Sequence, residues 1–153
     1  MSVQGSTVIP SLRYREAHAA IEWLVRVFEF TKQAVYEGPN HTVMHAQLAR
    51  GGGMLMLGSA TNADTVYARR WISVQDTGGR ETVGLCLIAN SDDDCDQIYE
   101  RVKREGVEIV MEMNSPNYGG KAFSCCDLEG HIWWVGSYNP WAEHKGPEAE
   151  GTA

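Results

Sequence analysis

His45 and Gln47 stand two residues apart in a segment, Thr42 to Ala49, whose apolar and polar residues partly alternate. Met44, Ala46 and Leu48 fall on one side, and Val43, His45 and Gln47 on the other, as on a β-strand. An imidazole beside a carboxamide can hold a polar ligand or move a proton, so His45 is a candidate acid/base group. The same alternation equally fits a solvated strand face. His41 and His45 are spaced to share an ion on a helix. On a strand they lie about 13 Å apart, too far for one metal. His18, His131 and His144 fall on a helix, a turn and a tail, where surface or structural roles are expected. Cys86, Cys95, Cys125 and Cys126 contain no CxxC pair, which excludes zinc-ribbon and thioredoxin-like chemistry. Adjacent Cys125 and Cys126 point to opposite faces of a strand, so free, reduced thiols are expected.

The aromatic residues suggest binding surfaces. Trp133 and Trp134 are consecutive, so a strand would turn them to opposite sides. Trp71 lies beside Arg69 and Arg70 in a stretch with little periodicity. It is a candidate to cap a ligand or meet a second protomer. Tyr118-Gly119-Gly120 reads as a tight turn needing positive φ, with Tyr118 placed to overhang a cleft mouth. Gly51-Gly52-Gly53 is not G-x-G-x-x-G and opens no helix, so a dinucleotide site is not expected.

The 153 residues suffice for one domain with a real core. A net charge of −7, with no cluster of Lys or Arg, makes nucleic acid and anionic membrane poor partners. No apolar run approaches the roughly 18 residues of a spanning helix. The first residues lack a basic segment followed by an apolar one, so a cytoplasmic protein is expected.

The elements that must position these groups occur twice. Gly52 to Gly58 reads Gly-x, four apolar residues, Gly, and Gly130 to Gly136 reads the same, about half a chain away. In the first copy, Val8 to Tyr14 reads as a strand and Glu16 to Phe28 as a helix with Ile21, Leu24, Val25 and Phe28 on one stripe. Strands follow at Gln33–Tyr36, Thr42–Ala49 and Met54–Leu57. In the second copy, Thr82–Ala89 is a strand and Asp92–Glu105 a helix with Ser91 as N-cap and Gly106 as its end. Strands follow at Val107–Met111, Lys121–Cys126 and His131–Ser137. The expected fold is α+β: two tandem β-α-β-β-β modules, about 7–60 and 81–138, forming a curved, partly open mixed sheet around a cleft. Residues 61–80 connect the modules, 142–153 form a polar tail, and the whole is one domain.

With these elements in order, the chain resembles the vicinal oxygen chelate superfamily: glyoxalase I, bleomycin-resistance proteins and extradiol dioxygenases. The carrying motifs are Ala20-Ile21-Glu22-Trp23-Leu24 with Val27-Phe28-Glu29-Phe30, Met44-His45-Ala46-Gln47-Leu48, Met54 to Leu57, Tyr118-Gly119-Gly120, and Asp127-Leu128-Glu129-Gly130-His131-Ile132-Trp133. The last is close to a D-P-x-G-H-x-W pattern, with Leu128 in place of Pro.

The resemblance implies metal-ligand places near the first strand and late in the last strand of each module. Carried over, these are about Ile9, Met56, about Leu85, and Trp134, all apolar. A divalent metal needs lone-pair donors such as imidazole or carboxylate, and Met is a poor ligand for any hard cation, so no metal and no cofactor are expected. By the same parity, Trp134 faces the cleft and Trp133 the helices. The resemblance thus points to the metal-free, bleomycin-resistance-like branch, sequestering a small apolar or aromatic molecule. The ligand-binding candidates are His45, Gln47, Met56, Trp71, Tyr118 and Trp134. The alternatives are a glyoxalase-like lyase or dioxygenase whose ligands lie elsewhere, or a metal-free acid/base enzyme using His45. A homodimer is expected, because the superfamily cleft is commonly completed by a second protomer and Trp71, Trp133, Trp134 and Trp141 offer much aromatic surface.

Overall fold

The computed structural model describes residues 4–60, 66–67 and 69–142. Two copies of one topology follow each other. The first runs β1 (Ser11–Tyr14), α1 (Ala17–Phe28), β2 (Thr31–Glu37), a 3-10 turn (Pro39–His41), β3 (Val43–Arg50) and β4 (Gly53–Ser59). The second runs β5 (Leu85–Ile88), α2 (Asp92–Glu105), β6 (Ile109–Asn114), β7 (Ala122–Cys126) and β8 (Ile132–Gly136). The sheets have the orders β1-β4-β3-β2 and β5-β8-β7-β6. In each, the first strand pairs parallel with the last and the other pairs are antiparallel. The fold is thus α+β with two tandem β-α-β-β-β modules. The chain divides into two compact units, residues up to Glu81 with Leu128–Gly130, and Thr82–Asp127 with the residues from His131 onward. The β7–β8 turn therefore belongs with the first unit. The polar tail expected at 142–153 lies, beyond Ala142, outside the described residues, as does His144.

In the first unit, α1 covers one face of its sheet. Ala20, Ile21, Trp23, Leu24, Val27 and Phe28 are buried, together with Tyr14, Ala46, Leu48, Leu55 and Leu57. Val27, not Val25, completes the apolar stripe, because the buried arc is centred on Leu24. The helix ends at Glu29, whose φ of 60° is left-handed and whose N–H donates to the Leu24 carbonyl. Arg50 Nε adds a 2.8 Å bond to the Phe28 carbonyl, satisfying another terminal acceptor.

In the second unit, Cys95, Ile98 and Val102 of α2 pack on the sheet face carrying Leu85, Leu87, Phe123, Cys125, Trp133 and Val135. Ser91 Oγ accepts from the Asp94 N–H at 3.0 Å, and Asp94 Oδ2 accepts from the Asn90 N–H at 2.8 Å. The first bond is a side-chain N-cap, and the second ties the residue before the cap to the first turn. Gly106 ends the helix at a φ of 71°.

The strand ends differ from the sequence-based expectation. Val8 is 82% exposed, and β1 begins at Ser11, after Pro10. Val83 is also exposed, so β5 is shorter than Thr82–Ala89. The alternation of β3 is broken by a bulge. Tyr36 pairs with His45, but Glu37 pairs with Val43, leaving Met44 as the extra residue. Val43 therefore turns to the helix side, fully buried, while Met44 is 58% exposed. His45 and Gln47 keep a common face, but without Val43. No described helix is long and apolar enough to cross a membrane.

Candidate functional site

Pairing register places side chains in rows on the sheet face turned away from the helix. In the first unit one row runs Ser11, Met56, Gln47, Ala34 across β1, β4, β3 and β2. A second carries Arg13 beside Gly58, with His45 opposite Tyr36 farther along. The second unit repeats the first row as Cys86, Trp134, Ser124, Met111 across β5, β8, β7 and β6. Met56 and Trp134 thus occupy equivalent stations in the two copies. Gly52 and Gly130 mark the same duplication in the sequence.

On the first face a polar chain is preassembled. Gln33 Nε2 donates to Gln47 Oε1 at 3.1 Å, and Gln47 Nε2 lies 3.2 Å from His45 Nε2. Tyr36 stacks on His45 with ring centroids 6.1 Å apart. Gln47 thereby orients the His45 imidazole, while Met56, level with Gln47, supplies an adaptable apolar surface. Arg13 extends its guanidinium over the Trp71 ring, 4.1 Å from the centroid. Burial lowers the Arg13 pKa from its ordinary value. The group remains cationic in proteins all the same, so Trp71 meets a positive charge through its π-face. Tyr67 also meets Trp71, its ring tilted and 6.0 Å away between centroids.

In the second unit the two adjacent tryptophans differ sharply. Trp133 is 3% exposed and its Nε1–H donates to Asp127 Oδ2 at 3.1 Å; Trp134 is 63% exposed on the opposite face. Tyr118 is exposed and meets Tyr138 edge-on at 5.3 Å. Gly119 and Gly120 have φ of 113° and 72° in the turn before β7. A Cβ on Gly120 would come within 2.5 Å of Ser137 Oγ.

At the four places where the resemblance implies metal ligands, the donor set does not fit a divalent ion. Ile9 lies before β1, and the residue level with Met56 is Ser11. Leu85 turns to the helix side, so the residue level with Trp134 is Cys86, one position from that expected. Hydroxyl, thioether, thiol and indole stand where imidazole or carboxylate would be required. Desolvation also raises the Cys86 thiol, favouring its neutral form over the thiolate that binds metals.

The thiols under α2 are no better placed to react. Burial pushes Cys125 up to about 12 and Cys95 to about 11, the latter aided by Asp96, Asp92 and Asp94.

Two groupings were not legible in the sequence. Glu129 in the β7–β8 turn accepts from the Arg15 N–H at 2.6 Å, the Glu16 N–H at 2.8 Å and Gln75 Nε2 at 3.0 Å. It closes the N-terminus of α1 from more than a hundred residues away. His41 does not work with His45. It stacks on His18, centroids 4.5 Å apart, and Glu37 joins them. The sequence linked His41 only with His45 and left His18 to a surface or structural role; among the described residues, His18, Glu37 and His41 converge instead. Helical and strand periodicities gave no hint of it, because the three residues come from a helix, a strand end and a turn.

Residues 7–135 match the model of the Glyoxalase/Bleomycin resistance protein/Dioxygenase superfamily, and the chain belongs to that superfamily. Among solved structures it is similar to TioX from a Micromonospora species, with 26% identity, 88% of this chain and 100% of that chain covered, and a TM-score of 0.63. A protein from Pseudomonas aeruginosa is 17% identical over 88% of this chain and 97% of its own, with a TM-score of 0.68. The fosfomycin resistance protein FosX of Listeria monocytogenes is 13% identical over 91% and 97% respectively, with a TM-score of 0.65. The last two likenesses establish the fold alone. No functionally curated protein matches the chain.

Proposed function

We propose that this protein binds a small apolar or aromatic molecule on its helix-free sheet faces without using a metal at the superfamily's ligand station. The observation that carries this reading is the pair of equivalent stations, Met56 and Trp134, occupied by a thioether and an exposed indole. Such groups present polarizable and flat apolar surface. Gln47 and His45 stand ready to orient one polar end of a ligand, and Trp71 offers a second aromatic surface. This is the composition of a small-molecule site, apolar with a few placed polar groups. The function belongs with the sequestering members of the superfamily rather than with its lyases and dioxygenases.

Tryptophan fluorescence titration with a panel of flat aromatic compounds tests the reading. Saturable quenching that persists in excess EDTA supports it. Ligand binding that is lost in EDTA and restored by a divalent ion, also in a His18→Ala/His41→Ala variant, overturns it.

A second reading rests on the Gln33–Gln47–His45 chain, in which His45 acts as a metal-free acid/base group. It requires turnover that a His45→Ala variant loses while ligand quenching remains.

Assembly as a homodimer is part of the proposal. The 86% exposed Trp141, together with exposed Val110 and Met111, supplies apolar surface suited to a second copy. Sedimentation at micromolar concentration that finds only a 17.0 kDa species refutes it.

A further inference from the structure

We propose that His18, Glu37 and His41 form a binding site for a zinc-class divalent ion, separate from the rows of the sheet face. His18 is the second residue of α1, Glu37 the last of β2, and His41 closes the 3-10 turn between β2 and β3. One ligand atom from each lies within 4.8 Å of the others.

The geometry differs from that of a simple ion pair. His18 Nε2 is 2.9 Å from Glu37 Oε2, yet it is shut off from solvent and makes no hydrogen bond. A paired imidazolium would direct its N–H at the carboxylate. Two donor atoms side by side at this separation instead resemble neighbouring ligands of one ion. Metal–ligand bonds of about 2.0–2.1 Å put adjacent ligands about 2.9–3.4 Å apart.

The second imidazole is held close by the backbone. Asn40 and His41 both adopt left-handed conformations, with φ of 56° and 60°. This conformation is uncommon outside glycine, and asparagine and histidine are among the residues that tolerate it. It lays the His41 ring over that of His18, with an interplanar angle of 23°. Glu37 and His41 are exposed, so small side-chain rotations can draw all three donors onto an ion.

Two imidazoles and one carboxylate favour zinc, nickel or copper over calcium or magnesium. Three protein ligands leave a coordination position for solvent. The bound ion would tie the start of α1 to the β2–β3 turn.

The test uses the full chain, made without a polyhistidine tag, stripped with EDTA and dialysed. Zinc chloride alone is titrated by calorimetry, and cobalt(II) uptake is followed by visible absorption. The expected result is one ion per chain and a raised Tm on zinc addition. His18→Ala, His41→Ala and Glu37→Gln should each weaken binding by about tenfold or more. His41 is exposed on a turn, so its variant is expected to fold, and circular dichroism checks this. The absence of stoichiometric uptake by the parent chain overturns the proposal. So does parental affinity in both histidine variants. Either outcome leaves the ligand reading above untouched, because that reading is tested in EDTA.

Discussion

Glu129 caps the first helix through the Glu16 amide, which donates to its Oε2 at 2.8 Å. The helix has no side-chain cap of its own at Glu16, so this carboxylate takes the place of a local Ser or Asp. It also sits at the positive end of the helix dipole. Glu129→Ala should therefore lower stability by about 0.5–2 kcal/mol, and Glu129→Gln by less. Equilibrium urea unfolding measures both; parental stability in Glu129→Ala contradicts the capping role.

Trp133 and Trp134 should separate stability from binding. Trp133→Ala removes a buried indole and leaves the buried Asp127 carboxylate without that donor. Its cost should be about 3–5 kcal/mol. Trp134→Ala should change stability by no more than about 0.5 kcal/mol, as an exposed substitution. It should weaken an aromatic ligand by about 1–3 kcal/mol. Thermal melts and fluorescence titrations on the two variants decide this, and an exchange of their behaviours would reverse the assignment of faces.

The buried thiols link stability to alkaline pH. Cys125 is raised from 9.0 to about 12 and Cys95 from 9.0 to about 11, both chiefly by burial. The folded state thus keeps protons that the unfolded state gives up above about pH 9. Their contribution is complete below that pH and is lost as pH rises toward 11–12. Thiol labelling at pH 8 should reach Cys95 and Cys125 only after denaturation, as read by mass spectrometry. Prompt labelling of either in the native protein contradicts the assigned burial.

Gly58 leaves room for Arg13. A Cβ at Gly58 would collide with Arg13 Nη1 and approach the Met44 carbonyl to 3.0 Å. Gly58→Ala should displace the guanidinium from Trp71, shift the tryptophan emission, and cost about 1–3 kcal/mol through overpacking. An unchanged emission spectrum would show that the Arg13–Trp71 contact does not depend on that space.

Local pattern was enough for the elements and their duplication. The Gly-framed apolar runs ending at Gly58 and Gly136, the apolar stripe around Leu24, and the Ser91 and Gly106 caps are all written within a few residues, where side-chain periodicity and backbone preference act. They made the tandem β-α-β-β-β architecture legible. Two-residue alternation also separated Trp133 from Trp134. What needed the tertiary structure was everything set by register or by distant partners. The bulge at Met44 depends on how β2 pairs with β3, and it turned Val43 away from His45. Parallel pairing of β5 with β8 brought Cys86, not Leu85, level with Trp134. The cap on α1 comes from Glu129, 113 residues from Glu16. His41 found His18 and not His45, because a left-handed turn swung it back over the helix. Periodicity within one segment carries no information about which segment lies opposite, and a site built across segments is decided only when the chain has packed.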